Sequence, residues 1–266
     1  MLLTVDVGNT QTVIGVFRGE ELVDHWRIGT DARRTADELA LTLQGFLALQ
    51  GLTFEREITG VVVASVVPAL THTFREMTER YFRFAPIIVE PGVRTGVPIL
   101  TDNPKEVGAD RIANALAAFH LYGGPAIVVD FGTSTNFDVV SERGEFLGGA
   151  IAPGVEISID ALGLRGAQLR KVEIVRPRSV IGKNTVECLQ SGILYGFAGQ
   201  IDGILARMVA ELGGGVPGGG PVKVVATGGL APLIIAESSL VDVHEPWLTL
   251  IGLRLVYEKN ADPTPK

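Results

Sequence analysis

Residues 4–12 read TVDVGNTQT, and residues 128–136 read VVDFGTSTN. Each stretch consists of an apolar run, then Asp-x-Gly, then small residues that carry hydroxyl or amide groups. A second apolar run follows each stretch and ends in Arg-Gly-Glu, at residues 18–20 and at residues 143–145. The aspartates are 124 residues apart and the Arg-Gly-Glu turns 125 apart, so the two copies stay almost in register. The repeat predicts two similar lobes, each of which opens with a β-hairpin.

The turn in each copy has the residues expected where a backbone approaches a phosphate group. Glycine allows the close approach, and backbone N–H groups with neighbouring hydroxyls form a cradle for the anion. The carboxylates of Asp6 and Asp130 provide oxygen ligands for the accompanying cation. In a protein made of two such halves, we expect the two turns to face each other across a cleft. Two turns in register therefore indicate a protein that handles phosphate.

Composition restricts the class of protein. The 266-residue chain is 46% hydrophobic, which is enough for one or two domains with sizeable cores. Its formal net charge of −7 and its pI of about 5.2 argue against partners such as nucleic acid or an anionic membrane. The longest nearly apolar run, residues 61–70, is half the ~20 residues needed to span a bilayer. A single cysteine, Cys188, forms no internal disulfide, so we expect a soluble cytoplasmic protein.

Hydrophobic periodicity predicts the same order of elements in both halves. Strand triplets over residues 2–28 and 126–152 are each followed by alternating helices and strands. This order predicts an α/β fold with mixed sheets and helices on both faces. We expect an N-terminal lobe over residues 1–105, a C-terminal lobe over residues 106–260, and a disordered tail over residues 261–266.

A second candidate site lies at Gly108–Arg111, where a predicted helix begins. An Asp and an Arg at a helix start are explained in most helices by capping and solvation. Here a glycine precedes the pair and an apolar helix follows at once, so a backbone amide, a base and a fixed cation converge on one point. This suits a small anionic substrate with a hydroxyl group, with Arg111 for its carboxylate and Asp110 for the hydroxyl proton.

The triplet Thr227–Gly229 directly follows a predicted strand. Its glycines would let an adenine or a ribose lie against the backbone. A plain strand-to-helix turn explains the triplet equally well.

Three motifs resemble those of type III pantothenate kinases: Asp-Val-Gly-Asn-Thr at residues 6–10, Asp-Phe-Gly-Thr at 130–133 and Gly-Ala-Asp-Arg at 108–111. The resemblance covers nearly the whole chain, and residues 102–111 form a segment long enough to be specific. It implies two ribonuclease-H-like lobes of the acetate-and-sugar-kinase/heat-shock/actin superfamily. It further implies a homodimer that phosphorylates pantothenate with ATP at the start of coenzyme A synthesis, with magnesium and a monovalent cation, potassium or ammonium.

The resemblance also implies roles for individual residues that bind ATP and cations. The first turn would line the ATP phosphates with Asp6, Val7, Gly8, Asn9, Thr10, Gln11, Thr12 and Val13. Asp6 would lie near magnesium. Asp130 would bind the monovalent cation, and Thr133 would bind the nucleotide.

A second group of residues is implied for pantothenate. The general base would be Asp110, and the substrate would be contacted by Gly108, Ala109, Asp110 and Arg111. Thr185 would reach pantothenate across the dimer interface. Two positions depart from the family pattern. Thr101 stands where many members have tyrosine, and Asn136 replaces a common threonine in the second turn.

Three alternatives share the paired phosphate turns. A sugar kinase would use the same fold, and an actin-like or chaperone-like ATPase would convert hydrolysis into assembly or a conformational cycle. A catalytically silent regulator would lack the base or the phosphate aspartates, which are all present. The helix predicted from Asn184 is apolar on more than one face, which predicts that one face packs against a second subunit. A helix wholly internal to one lobe would explain the same pattern.

Overall fold

The computed structural model describes residues 1–165, 172–213 and 221–261. The chain forms two compact units. Unit 1 consists of Met1–Val97, Asp102–Ala117 and Leu248–Lys266, and unit 2 of Pro98–Thr101 and Ala118–Trp247. The predicted boundary between lobes at residue 105 stays a prediction. The predicted disordered tail lies, except for residue 261, outside the described residues.

Each unit is built on one five-stranded sheet. The strands are β1 (Leu2–Val7), β2 (Gln11–Arg18), β3 (Glu21–Gly29), β4 (Gly60–Ser65), β5 (Ile87–Ile88), β6 (Ala126–Phe131), β7 (Ser134–Val140), β8 (Phe146–Pro153), β9 (Lys223–Thr227) and β10 (Val243–His244). Strand order is β3-β2-β1-β4-β5 in unit 1 and β8-β7-β6-β9-β10 in unit 2. The two orders are the same, so the structure confirms the repeat that the sequence predicts.

Helices connect and cover the strands. They are α1 (Ala36–Leu49), α2 (Phe54–Glu57), α3 (Pro68–Met77), α4 (Ala109–Tyr122), α5 (Val155–Arg165), α6 (Thr185–Glu211), α7 (Ala231–Ile235) and α8 (Leu248–Asn260). A π-helical turn, Thr78–Phe82, extends α3, and a 3-10 turn, Pro104–Glu106, precedes α4. Patterning from sequence found every strand of the two triplets but missed the two-residue β10, which is too short to show a period.

In unit 1 the central strands alternate between two packed faces. Leu3, Val5 and Val7 of β1 belong to the core shared with α1 and α3. Helix α8 packs on the other face, where a Cβ added to Gly15 would lie 2.8 Å from a methyl carbon of Leu250. The start of α1 is fixed by a capping box. The Thr35 hydroxyl accepts from the N–H of Glu38, whose carboxylate accepts from the N–H of Thr35.

In unit 2 the core lies on the sheet face that carries Ile127, Val129 and Phe131 of β6. Residues of α5, α6 and α7 fill it. Asp130 therefore points to the opposite face of the sheet, because successive side chains of a strand alternate. Asp6 holds the same position in unit 1, between Val5 and Val7.

Helix α6 packs much of its apolar surface within unit 2. Five of its apolar residues are buried in the core of this unit, and Leu189 and Phe197 are among those that pack partly against it; the buried five are Ile193, Leu194, Ala198, Ile201 and Leu205. The helix is apolar on several faces because the core surrounds much of it. This packing accounts for much of the apolar surface of α6 within one lobe, and the homodimer stays a prediction.

Candidate functional site

The first phosphate turn closes the hairpin of β1 and β2. Asp6 pairs with Val13 and Val7 with Thr12, which leaves the four residues 8–11 as the loop. The N–H of Gly8 donates to the carbonyl of Gln11 at 3.0 Å and closes the turn. The loop side chains from Asn9 to Gln11 are exposed.

Not every residue of the predicted ATP-binding stretch presents its side chain. Val7 is fully buried and packs in the core of unit 1, so only its backbone is near the turn. Thr12 is 2% exposed, and its hydroxyl lies 2.9 Å from the hydroxyl of Thr30. Thr30, the residue after β3, was not singled out by the sequence.

Thr30 donates two hydrogen bonds to the first turn. Its N–H donates to the carbonyl of Thr10 at 3.0 Å, and its hydroxyl donates to the carbonyl of Gly8 at 2.8 Å. In unit 2 the first residue after β8 makes the matching backbone bond. The N–H of Gly154 donates to the carbonyl of Thr133 at 3.1 Å. The repeat could have revealed both positions, since each directly follows the third strand of its triplet.

The second phosphate turn is one residue shorter than the first. Asp130 pairs with Asn136 and Phe131 with Thr135, which leaves residues 132–134 as the loop. The N–H of Gly132 donates to the carbonyl of Ser134 at 3.0 Å, and Thr133 is exposed at the tip.

Polar groups surround Asp130 on its face of the sheet. Its neighbours across the two adjoining strands are Asn136 on β7 and Thr227 on β9. Directly paired residues point to the same face, so a carboxylate, an amide and a hydroxyl lie side by side. The Asn136 side chain is also held by the Ser134 hydroxyl, which donates to its Oδ1 at 2.9 Å. Such oxygen donors suit a hard cation.

The glycine after Thr227 is explained by the turn itself. Gly228 has a φ of +94°, and an added Cβ would lie 2.5 Å from the carbonyl oxygen of Phe131. A strand-to-helix turn therefore needs glycine here without any ligand, so this glycine gives no separate support for an adenosine site.

The segment of the candidate base lies at the start of α4 in unit 1. The carbonyl of Gly108 accepts the first helical bond, from the N–H of Ile112 at 3.1 Å. Oδ1 of Asp110 is shielded from solvent and has no hydrogen-bond partner among the described residues. An added Cβ at Gly108 would lie 2.4 Å from that oxygen. Glycine thus leaves room for the Asp110 carboxylate, and this oxygen is not used to cap the helix.

The hydroxyl of Thr101, at the position where many family members have tyrosine, is likewise shielded and has no hydrogen-bond partner within the described ranges. An added Cβ at Gly148 would come 3.8 Å from its methyl carbon.

Thr185 is exposed in the first turn of α6 in unit 2. Asn184 caps this helix by accepting from the N–H of Glu187 at 3.0 Å. The N–H of Lys183 and then the Arg178 guanidinium bind the Glu187 carboxylate and hold its pKa below its usual range. These contacts fix the helix start on which Thr185 stands.

The predicted site residues are therefore divided between the units. Unit 1 contains the first turn and Gly108–Arg111, and unit 2 contains Asp130, Thr133 and Thr185. No group of three or more His, Cys, Asp or Glu side chains that would hold a metal occurs in the part of the chain that the structure describes. In the same residues, no helix is long and apolar enough to cross a membrane.

Comparison with known proteins identifies the relatives of this chain. The sequence profile of the family described as type III pantothenate kinase matches residues 2–207. The type III pantothenate kinase of Streptomyces griseus subsp. griseus is 65% identical over 265 residues, covering 98% of this chain and 99% of the relative. The type III pantothenate kinase of Thermobifida fusca is 60% identical over 262 residues, covering 98% of this chain and 100% of the relative.

Solved structures agree with the fold. The activator of the 2-hydroxyisocaproyl-CoA dehydratase from Clostridium difficile, with bound ADPNP, matches with a TM-score of 0.53 at 13% identity. The match covers 100% of this chain and 99% of that one. The predicted fold class, an α/β fold of two lobes that are each built on a mixed sheet, is confirmed, and this fold is shared with that structure.

Proposed function

Because this chain belongs to the type III pantothenate kinase family, we propose that it transfers the γ-phosphoryl group of ATP to the hydroxyl of pantothenate. The product is 4'-phosphopantothenate, and the reaction is the first step of coenzyme A biosynthesis. The observation that carries the proposal is the Asp110 carboxylate. One of its oxygens lies at a helix start, shielded from solvent and without a hydrogen bond in the described part of the chain, beside a glycine that leaves space for it.

In this mechanism Asp110 is the general base. It accepts the proton of the pantothenate hydroxyl as that oxygen bonds to the γ-phosphorus, and the bond to the bridging oxygen of ADP breaks. The protein contributes mainly by holding the reacting groups in place and by stabilising charge. An oxygen that makes no hydrogen bond to any described residue is available for the substrate proton.

The nucleotide is proposed to bind along residues 6–13, with Thr133 on the second turn. A kinase of this family uses ATP with a divalent metal, and we assign magnesium to the neighbourhood of Asp6. The polar neighbours of Asp130 support a monovalent cation there, potassium or ammonium. When bound, these cations neutralise charge on the phosphate oxygens.

Pantothenate is proposed to contact Gly108–Arg111, with Arg111 paired to its carboxylate. Thr185 would complete the pocket from the second subunit of a homodimer located in the cytoplasm. A homodimer predicts a single species of twice the mass of the chain in sedimentation experiments. A fully active monomer at the same concentration would rule out a shared pocket.

The function is tested by ADP release from ATP, with and without pantothenate and with and without potassium. We expect release that depends on pantothenate. In Asp110→Asn, turnover should fall about 10²–10⁴-fold while ATP affinity changes little, because the base is lost and the shape is kept. Release without pantothenate, or with a sugar instead, would favour an ATPase or a sugar kinase. Near-normal turnover in Asp110→Asn would place the base elsewhere.

A further inference from the structure

The hydrogen bonds of Thr30 fix which group donates in the contact between the Thr12 and Thr30 hydroxyls. The Thr30 hydroxyl donates its single proton to the carbonyl of Gly8. The contact of 2.9 Å between the Thr12 and Thr30 hydroxyls then has only one possible donor, which is Thr12. A chain of bonds therefore runs from Thr12 through Thr30 to Gly8.

This chain changes what Thr12 can do. Its side chain is buried and its proton is given to Thr30, so the hydroxyl does not donate to a phosphate oxygen. Thr12 belongs to the support of the turn, and the donors to an anion must come from elsewhere in the loop.

The peptide planes show where those donors are. The carbonyls of Gly8 and Thr10 both point to Thr30, one to its hydroxyl and one to its N–H. Both following peptide bonds are trans, and in a trans peptide the N–H points opposite to the carbonyl. The N–H groups of Asn9 and Gln11 are therefore turned away from Thr30. Two such groups aimed the same way form an anion-binding concavity.

We infer that Thr30 is a positioning residue for nucleotide binding. Its hydroxyl and its N–H fix two carbonyls of the first turn, and by doing so they aim the N–H groups of Asn9 and Gln11 at the phosphate chain. Thr30 itself touches no phosphate. The inference rests on the proposed use of ATP by this turn.

The test compares Thr30→Val with Thr30→Ser. Valine removes both hydroxyl bonds and keeps the backbone N–H and the branched shape, whereas serine restores the hydroxyl. We expect Thr30→Val to raise both the KM and the calorimetric Kd for magnesium-ATP about 10-fold, which corresponds to one or two lost hydrogen bonds. The KM for pantothenate should stay within about twofold, and Thr30→Ser should bind ATP nearly as the wild type does.

Thr73→Val is the matched control. Its hydroxyl also donates to a backbone carbonyl, that of Ala69 at 3.0 Å, but on α3, outside the turn. It should leave ATP binding unchanged. A role in folding alone would lower the melting temperature of Thr30→Val without this split between ATP and pantothenate, and that result would overturn the inference. So would a serine variant that fails to restore ATP binding.

Two further outcomes, an unfolded Thr30→Val variant and an inactive wild type, also have a defined interpretation. If Thr30→Val shows no cooperative unfolding transition, Thr30→Ala is measured in its place, and wild-type ATP affinity in that variant contradicts the inference. If the wild type lacks pantothenate-dependent ADP release, the proposed function fails. The role of Thr30 is then still decided by the calorimetric ATP titrations.

Discussion

The two phosphate turns are copies of one device, but they are held in different ways. In the first turn a side chain contributes to the support of the loop, because the hydroxyl of Thr30 donates a hydrogen bond to the loop in addition to the one from its N–H. In the second turn the N–H of Gly154 makes the matching bond, and the backbone lies so close that an added Cβ would be 2.2 Å from the carbonyl oxygen of Thr133. The same position thus requires a hydroxyl in one copy and no side chain in the other.

The aspartates of the two turns also differ in their neighbours. Asp6 lies between Val13 and Ala64 on the adjoining strands, and Asp130 between an amide and a hydroxyl. At the proposed magnesium position, these two strand neighbours of Asp6 supply no side-chain oxygen for a cation. A carboxylate among oxygen donors can hold a cation largely with protein groups. With the cations assigned as proposed, one repeated motif would support two different ion sites.

The strongest test separates the two aspartates. Asp6→Asn should lower turnover about 10²-fold or more at every potassium concentration, because charge stabilisation at the phosphates is lost. Asp130→Asn should mainly raise the potassium concentration needed for half-maximal activity. Potassium titrations of both variants and the wild type measure this. Identical titration midpoints for Asp130→Asn and the wild type would contradict the cation assignment.

The next test addresses the close backbone contact in the second turn. Gly154→Ala should lower the free energy of unfolding by about 1–3 kcal/mol, because the new Cβ meets backbone oxygens that have little room to move. Gly29→Ala, where no atom lies within 4 Å of an added Cβ, is the control and should change it by less than about 0.5 kcal/mol. Urea denaturation measures both. Equal stability of the two variants would show that the turn adapts.

A smaller effect is expected when the strand neighbour of Asp130 is replaced by the valine that pairs with Asp6. Asn136→Val places an apolar residue opposite the aspartate, as Val13 does opposite Asp6. We expect the half-activating potassium concentration to rise about fivefold, the value of one lost oxygen contact of ~1 kcal/mol. Asn136→Thr keeps an oxygen and should remain near the wild type. An unchanged midpoint in the valine variant would exclude Asn136 from the cation site.

The smallest effect concerns the helices that follow the two turns. Helix α5 begins directly after Gly154, whereas α1 begins six residues after Thr30 and depends on its capping box. The N–H and then the hydroxyl of Thr35 hold the pKa of Glu38 below its usual value of 4.5. The ionised box therefore stabilises the fold above about pH 4.5, and this contribution disappears as the pH falls through the lowered pKa.

Glu38→Gln should accordingly reduce the melting temperature by about 2 °C or less at pH 7, with the difference from the wild type closing below about pH 4. Glu79→Gln, elsewhere on the surface of unit 1, is the control. Melting curves from pH 3 to pH 7 provide the comparison. A difference that persists at pH 3 would mean that Glu38 acts by something other than its charge.

Much of the site could be predicted because its residues are close in sequence. The Asp-x-Gly turns and the Gly-Ala-Asp-Arg segment are local patterns, and their order along the chain is enough to indicate the family. The repeat of 124 residues correctly predicted two sheets of the same strand order. Local pattern was not decisive for α6, whose apolar faces are explained equally well by a partner subunit and by a surrounding core.

The sequence by itself determined the two lobes, through a repeat of 124 residues, and the two turns and the candidate base, since each of these depends on residues within about ten positions of one another. Only the tertiary structure showed that Thr30 holds residues 8–12, that Thr12 gives its proton to Thr30, and that Gly154 has no room for a side chain. It also decided that α6 is packed within unit 2. The reason is physical: these contacts join residues about 20 positions apart or more, through the register of paired strands and the packing of the core, and hydrophobic periodicity does not encode that register.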